Sequence, residues 1–297
     1  MESLINKIGK SLKSKFFFNY HTKKNVWFQS GGHVSVYCIV HDQTELQIIL
    51  NNIGDIPYEI IGSGSNFLVR DKGFNGILFK LGKNFNIINL QEECIEVGAS
   101  VLDANLSKFT QLKNIKNFEF FSGIPGNIGG AVKMNAGCYG SETKDVLKEV
   151  TTIGANGQIN ILAKDQINLS YRNSILPKGD IIISAKFLKH EGRKEEIIDN
   201  IKKIKIMRKN SQPIQSKTSG STFKNPPNNY AAKLIEMSGC KKLGVGDVYV
   251  SDKHANFLIN TNNATATQIE ELGNIIIDKV YNKFNIKLEW EVKIIGN

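Results

Sequence analysis

Between Ser122 and Gly140 the chain reads SGIPGNIGGAVKMNAGCYG, six glycines in nineteen residues, against an ordinary frequency of about 7%. No long regular helix or strand tolerates that density, because each glycine adds backbone freedom and removes a side chain that could pack. The segment predicts a compact loop region in which Gly129-Gly130 and Gly137 leave bare backbone for a large flat ligand. A second glycine stretch lies upstream, Gly62-Ser63-Gly64-Ser65-Asn66. It separates the short β-type run Tyr58–Ile61 from another at Phe67-Leu68-Val69. Consecutive N–H groups in such a turn can converge on an anion, and a diphosphate is its natural guest. A dinucleotide fold of the Rossmann kind is disfavoured, since its glycine fingerprint opens a helix whereas here a strand-like run continues. Two such loops before residue 141, neither opening a dinucleotide-type helix, suggest a dinucleotide held in another way.

The rest of the chain alternates short strand and helix signals. Apolar runs or periodic faces predict a helix-like stretch at 44–51, a strand at Ile95–Val97 and a helix from Ser100 to Leu112. Strands are predicted at Glu149–Ile153, Gln158–Ile161 and Ile181–Phe187, helices at 191–209, Ala231–Met237 and Thr265–Phe284, and strands at Asn256–Ile259 and Lys287–Ile295. The pattern is α+β and divides into segments 1–82, 83–190 and 191–297, near the length expected for two or three domains. There is no apolar stretch long enough to span a bilayer and no signal-peptide core, so a cytoplasmic location without membrane insertion is expected. Cys38, Cys94, Cys138 and Cys240 stand singly, which predicts reduced structural thiols and no metal site.

A formal charge of +10 could serve nucleic acid, but lysines are spread along the chain. The densest basic run, Lys202–Lys209, carries Ile201, Ile204 and Ile206 at helical spacing and reads as a solvated helix face. A substrate bearing a diphosphate and a carboxylate would be steered by the same field, so no nucleic-acid partner is expected. Arginine is scarce: only Arg70, Arg172, Arg193 and Arg208 among 38 basic residues. Its planar fork suits bidentate contact with carboxylate or phosphate.

Six motifs occur in order: Gly62–Asn66 with Leu68-Val69; Gly123-Ile124-Pro125-Gly126 through Asn135-Ala136-Gly137; Tyr171-Arg172 with Ser174; Gly220-Ser221 with Phe223-Lys224-Asn225-Pro226; His254-Ala255-Asn256-Phe257; and Leu288-Glu289 with Glu291-Val292. Together they make the chain resemble the UDP-N-acetylenolpyruvoylglucosamine reductases over nearly its whole length, in the shorter type without an extra substrate-clamping loop. The resemblance implies a two-lobed FAD-binding fold of the vanillyl-alcohol oxidase type, in lobes 1–82 and 83–190, plus a C-terminal α+β substrate domain. It implies non-covalent FAD, NADPH as co-substrate and UDP-N-acetylglucosamine enolpyruvate as substrate; a monomer is expected.

Carried onto this chain, the resemblance places FAD on Gly62, Ser63, Gly64, Ser65, Asn66, Gly123, Ile124, Pro125, Gly126, Asn127, Gly129, Gly130, Asn135 and Gly137. It gives Tyr171 and Asn225 to the substrate, and makes Arg172, Ser221 and Glu291 the reacting trio. Arg172 would hold the substrate carboxylate, Ser221 would protonate the neighbouring carbon, and Glu291 would polarise the enolpyruvyl group. Strand alternation in Leu288–Lys293 directs Glu291 away from the core, on the face opposite Leu288, Trp290 and Val292. A related flavin oxidase with another substrate would share both glycine loops; the trio argues against it.

Overall fold

The computed structural model describes residues 1–297. The chain divides into two compact units, one of Met1–Phe18, Val36–Ser63 and Gly76–Met207, the other of Asn19–Ser35, Gly64–Asn75 and Arg208–Asn297. Each has its own apolar core.

In the first unit an antiparallel sheet runs in the order Ile159–Ala163, Leu147–Ile153, Ile181–Leu188, Cys94–Gly98, Ile88–Leu90. Its middle strand buries Ile181, Ile182, Ile183, Ala185 and Phe187, while Ser184 and Lys186 alternate onto a less covered face, as expected of an antiparallel sheet. Phe187 sits edge-on to Phe118 and Phe121 at centroid separations of 5.9 and 6.0 Å, a geometry that aligns the electron-poor ring edge with an electron-rich face. The predicted helix at 100–112 forms over Asp103–Leu112.

Two expectations shift in this unit. The glycine cluster is not loop throughout: Ile128–Lys133 forms a six-residue helix, in which Ala131 and Val132 supply the buried face. The basic helix spans Lys194–Ser211 and buries Ile197, Ile201 and Ile204, but Ile206 is exposed. At about 100° per residue, two steps beyond Ile204 turn a side chain to the opposite face.

In the second unit the helix Ala266–Phe284 begins at a Thr265–Gln268 capping box, which satisfies two donors of the first turn reciprocally. Ile269, Leu272, Ile276 and Val280 form its buried stripe. Gly273 is required within this unbroken helix because a Cβ there would lie 2.2 Å from Cζ2 of Trp290. The terminal strand is shorter than the sequence suggests, Lys293–Ile295, and pairs in parallel with Phe67–Val69. That pairing helps to explain why residues 64–75 group with Asn19–Ser35 and the C-terminal part of the chain. Upstream, Trp290 makes a single antiparallel bridge to Phe223, with Leu288 and Val292 buried beside it, so the alternation read over 288–293 survives without a continuous ladder.

Candidate active site

In the first unit the second glycine loop is laced to the end of strand Cys94–Gly98 and the turn after it. Gly129 and Ile128 donate to the carbonyls of Ala99 and Val101, and Asp103 donates to Gly126, all at 3.0–3.1 Å. The Asn127 amide nitrogen donates to Ser100 O at 2.6 Å. Its Oδ1, like Ser122 Oγ, is buried without a partner, and faces Gly62 closely enough that a Cβ there would sit 3.0 Å away. Lys80 donates to the Gly62 carbonyl, and burial lowers its pKa. A half-buried ammonium beside a glycine turn, together with orphaned amide and hydroxyl oxygens, suits a ligand carrying both phosphate and hydroxyl groups.

The three glycines expected to bare the backbone behave differently. A Cβ at Gly129 would meet Ala99 Cβ at 3.0 Å and one at Gly137 would meet Glu142 Cβ at 2.5 Å, whereas Gly130 has open space. A side chain would be blocked by neighbouring chain at Gly129 and Gly137 but not at Gly130. Asn135 is likewise spent within the protein: its amide donates to Glu142 Oε2 and Ser170 O and accepts from Lys144 N–H. Ser170 opens the turn that carries Arg172, so Asn135 ties the glycine cluster to that turn.

Tyr171 and Arg172 lie between Ser170 and Asn173, whose N–H and C=O groups pair reciprocally at 3.0 and 3.1 Å. Arg172 has φ +53°, the left-handed conformation that side chains of this size seldom adopt. The turn aims its guanidinium to within 3.4 Å of Gly137 O and 5.1 Å from the Tyr171 ring centre.

Sequence reasoning missed Asp103. Its carboxyl is wholly buried with both oxygens unpartnered, and burial pushes its pKa well above the usual carboxylate range. Being the first residue of its helix favours the anion by about 0.3–1 kcal/mol, but burying an unpaired ion costs several, so the neutral acid wins. The folded state therefore binds its proton more tightly than the unfolded chain. The stability this gives is complete below about pH 4 and is lost as pH rises through the folded pKa. Asp103→Asn should accordingly raise the melting temperature, and the gain over wild type should widen from pH 5 to pH 8, by about 2–4 °C per kcal/mol. A gain that is flat with pH would mean that Asp103 is ionised in the fold.

In the second unit Gly64 closes the first loop with φ +74°, where a Cβ would fall 1.8 Å from Asn25 O; no other residue fits. Asn66 follows, its amide donating to the Glu291 carbonyl at 3.0 Å. Ser221 sits on an extended segment bridged to Phe257 on one side, while the next residues meet the Trp290 stretch on the other. Thr222 accepts from Glu291 N–H at 2.8 Å, so Ser221 and Glu291 lie on neighbouring chain segments. Asn256, quoted in the sequence only as part of a motif, is the clamp: it accepts from Phe223 N–H and donates to Phe223 O at 2.9 and 2.7 Å, and its carbonyl accepts from Thr222 N–H. Asn225 uses Oδ1 to accept from Ala231 N–H at 2.9 Å, at the start of the helix Ala231–Met237.

The profile described as UDP-N-acetylenolpyruvoylglucosamine reductase, C-terminal domain, matches residues 212–295, and that of an FAD binding domain matches 34–162. The chain is 39% identical over 287 residues to the UDP-N-acetylenolpyruvoylglucosamine reductase of Rickettsia bellii, covering 96% of this chain and 95% of that one. The chain belongs to the UDP-N-acetylenolpyruvoylglucosamine reductase family. A relative of the same name from Rickettsia typhi is 38% identical, with 96% and 97% of the two chains covered. The crystal structure of the family member from Thermus caldophilus superposes with a TM-score of 0.84 at 30% identity, over 96% of this chain and 100% of that one. The α+β architecture read from the sequence and its FAD-binding part thus hold for this member of the reductase family.

Proposed function

We propose that this chain carries out the reaction of its family, the NADPH-dependent, FAD-mediated reduction of UDP-N-acetylglucosamine enolpyruvate to UDP-N-acetylmuramate in peptidoglycan precursor synthesis. The carrying observation is the match over 96% of the chain; Arg172, Ser221 and Glu291 are the residues assigned to the chemistry. FAD, when bound, passes the hydride of NADPH to the substrate. The residues that would hold it are Gly62–Asn66 and Gly123–Gly130, with Lys80 as the cation for its diphosphate and Asn127 and Ser122 as partners for its hydroxyl groups. Asn135 and Gly137 support this loop from behind.

The chain's own chemistry is then electrostatic and protonic. Arg172 holds the substrate carboxylate in its fork and stabilises negative charge as it develops beside that group. Glu291 orients and polarises the enolpyruvyl group. As hydride reaches the methylene carbon, the double-bond pair moves to the carbon bearing the carboxylate, and the Ser221 hydroxyl delivers its proton there. A hydroxyl is a weak acid, but it suffices for so strong a base when held in contact. Tyr171 and Asn225 are assigned to the nucleotide-sugar, and segment 191–297 to substrate binding, with 1–82 and 83–190 as the FAD lobes. The substrate is a cytoplasmic metabolite of cell-wall synthesis, which puts the enzyme in the cytoplasm and in the service of cell shape and division; a monomer is part of the proposal.

The purified protein should be yellow, with about one FAD per chain released on denaturation, because nothing in the mechanism calls for a covalent link. Absorbance of the supernatant after heat denaturation measures it. A colourless protein that takes up no added FAD would remove the proposal.

A further inference from the structure

Glu291 is held by hydrogen bonds on both sides of its own Cα. Its N–H donates to Thr222 O at 2.8 Å, one residue beyond Ser221, and its carbonyl accepts from the Asn66 amide at 3.0 Å. Since both bonds belong to residue 291, they pin its φ and ψ, and with them the direction of the bond that launches the carboxylate. Asn66 is itself fixed: its carbonyl accepts from Lys293 N–H at 3.3 Å, and it opens the strand Phe67–Val69, whose partners in parallel register are Lys293, Ile294 and Ile295. The same residue ends the glycine loop in which Gly64 is locked against Asn25. On the Ser221 side, the Asn256 clamp on Phe223 holds the other end.

We propose that Asn66 is a positioning residue for Glu291, so that the glycine loop fixes the reacting carboxylate through this one amide. The proposal rests on the reading of Glu291 and Ser221 as reacting residues. Asparagine is required because the contact needs a short, neutral donor: aspartate would turn an acceptor toward the carbonyl oxygen, and alanine would leave that carbonyl without the bond. A purely structural amide would cost stability and nothing specific to one half of the reaction.

The test uses FAD-loaded wild type, Asn66→Asp, Glu291→Gln and the double variant. Two rates are followed by stopped-flow absorbance: bleaching of the flavin by NADPH, and return of its colour when the enolpyruvyl substrate is added. Amide hydrogen exchange over residues 286–295 is measured alongside. Compared at equal FAD occupancy, Asn66→Asp should slow colour return about 10-fold or more beyond any change in bleaching, and raise exchange at Glu291 and its neighbours. On the Glu291→Gln background it should add little, since residues acting through one another are not additive. Equal slowing of both phases, full additivity with Glu291→Gln, or unchanged rates would overturn the proposal. Wild-type rates in Glu291→Gln itself would instead overturn the reading of Glu291, and the positioning role with it. Should Asn66→Asp not fold, Asn66→Gln serves the same comparison: its amide, displaced by one methylene, should slow colour return alone, and equal slowing of both phases would again overturn the role.

Discussion

Replacing Ser221 by Ala should leave bleaching of the flavin by NADPH at the wild-type rate and slow the return of colour with substrate about 10²–10⁴-fold, the usual cost of losing a positioned acid. The asymmetry follows from what the hydroxyl does. Only the second half of the reaction needs a proton on carbon, and water is a poor substitute because it is not held against that carbon. Backbone geometry should not confuse the outcome. Ser221 is held through its bridge to Phe257 and through Asn256 gripping the following residues, so the methyl of alanine leaves these contacts intact. Ser221→Cys should recover part of the rate, since a thiol also donates a proton. Equal slowing of both halves would make Ser221 structural, and normal rates in both would place the proton donor elsewhere.

The second large effect belongs to Arg172. Arg172→Lys keeps a positive charge but loses the fork that grips a carboxylate through two parallel bonds, so turnover should fall about 10²–10³-fold, as when one preorganised donor is lost from a charge-stabilising site. Flavin content should be unchanged. The left-handed turn position of Arg172 strains lysine as much as arginine, so a stability difference is not expected. Steady-state rates equal to wild type would mean that this cation serves the surface only.

Much of this was legible in the residues. The helix at Thr265–Phe284, the alternation around Trp290 and the two glycine loops are local patterns, and local patterns survive folding. The grouping of residues 64–75 with the C-terminal part was not legible, because the parallel pairing of Phe67–Val69 with Lys293–Ile295 joins segments more than two hundred residues apart. The short helix Ile128–Lys133 was hidden by the glycines that surround it, whose low helix propensity is outweighed by packing of Ala131 and Val132. A glycine that a neighbouring chain segment requires and one with open space look identical in sequence, and only the fold separates Gly129 and Gly137 from Gly130. Asp103 and Asn256 escaped for a related reason: a carboxylate at a helix start and an amide two residues after a histidine are ordinary surface residues until burial shows what each one touches.

The central claim is that this chain adds a hydride and a proton across the enolpyruvyl double bond of a nucleotide-sugar. It is tested most directly by incubating the FAD-loaded protein with NADPH and UDP-N-acetylglucosamine enolpyruvate and following both reactants by mass spectrometry. The account predicts one NADPH consumed for each UDP-N-acetylmuramate formed, with the product heavier than the substrate by two hydrogens. NADPH consumed without conversion of the enolpyruvyl group, its electrons going to oxygen, would contradict it and point to a flavin oxidase of another specificity.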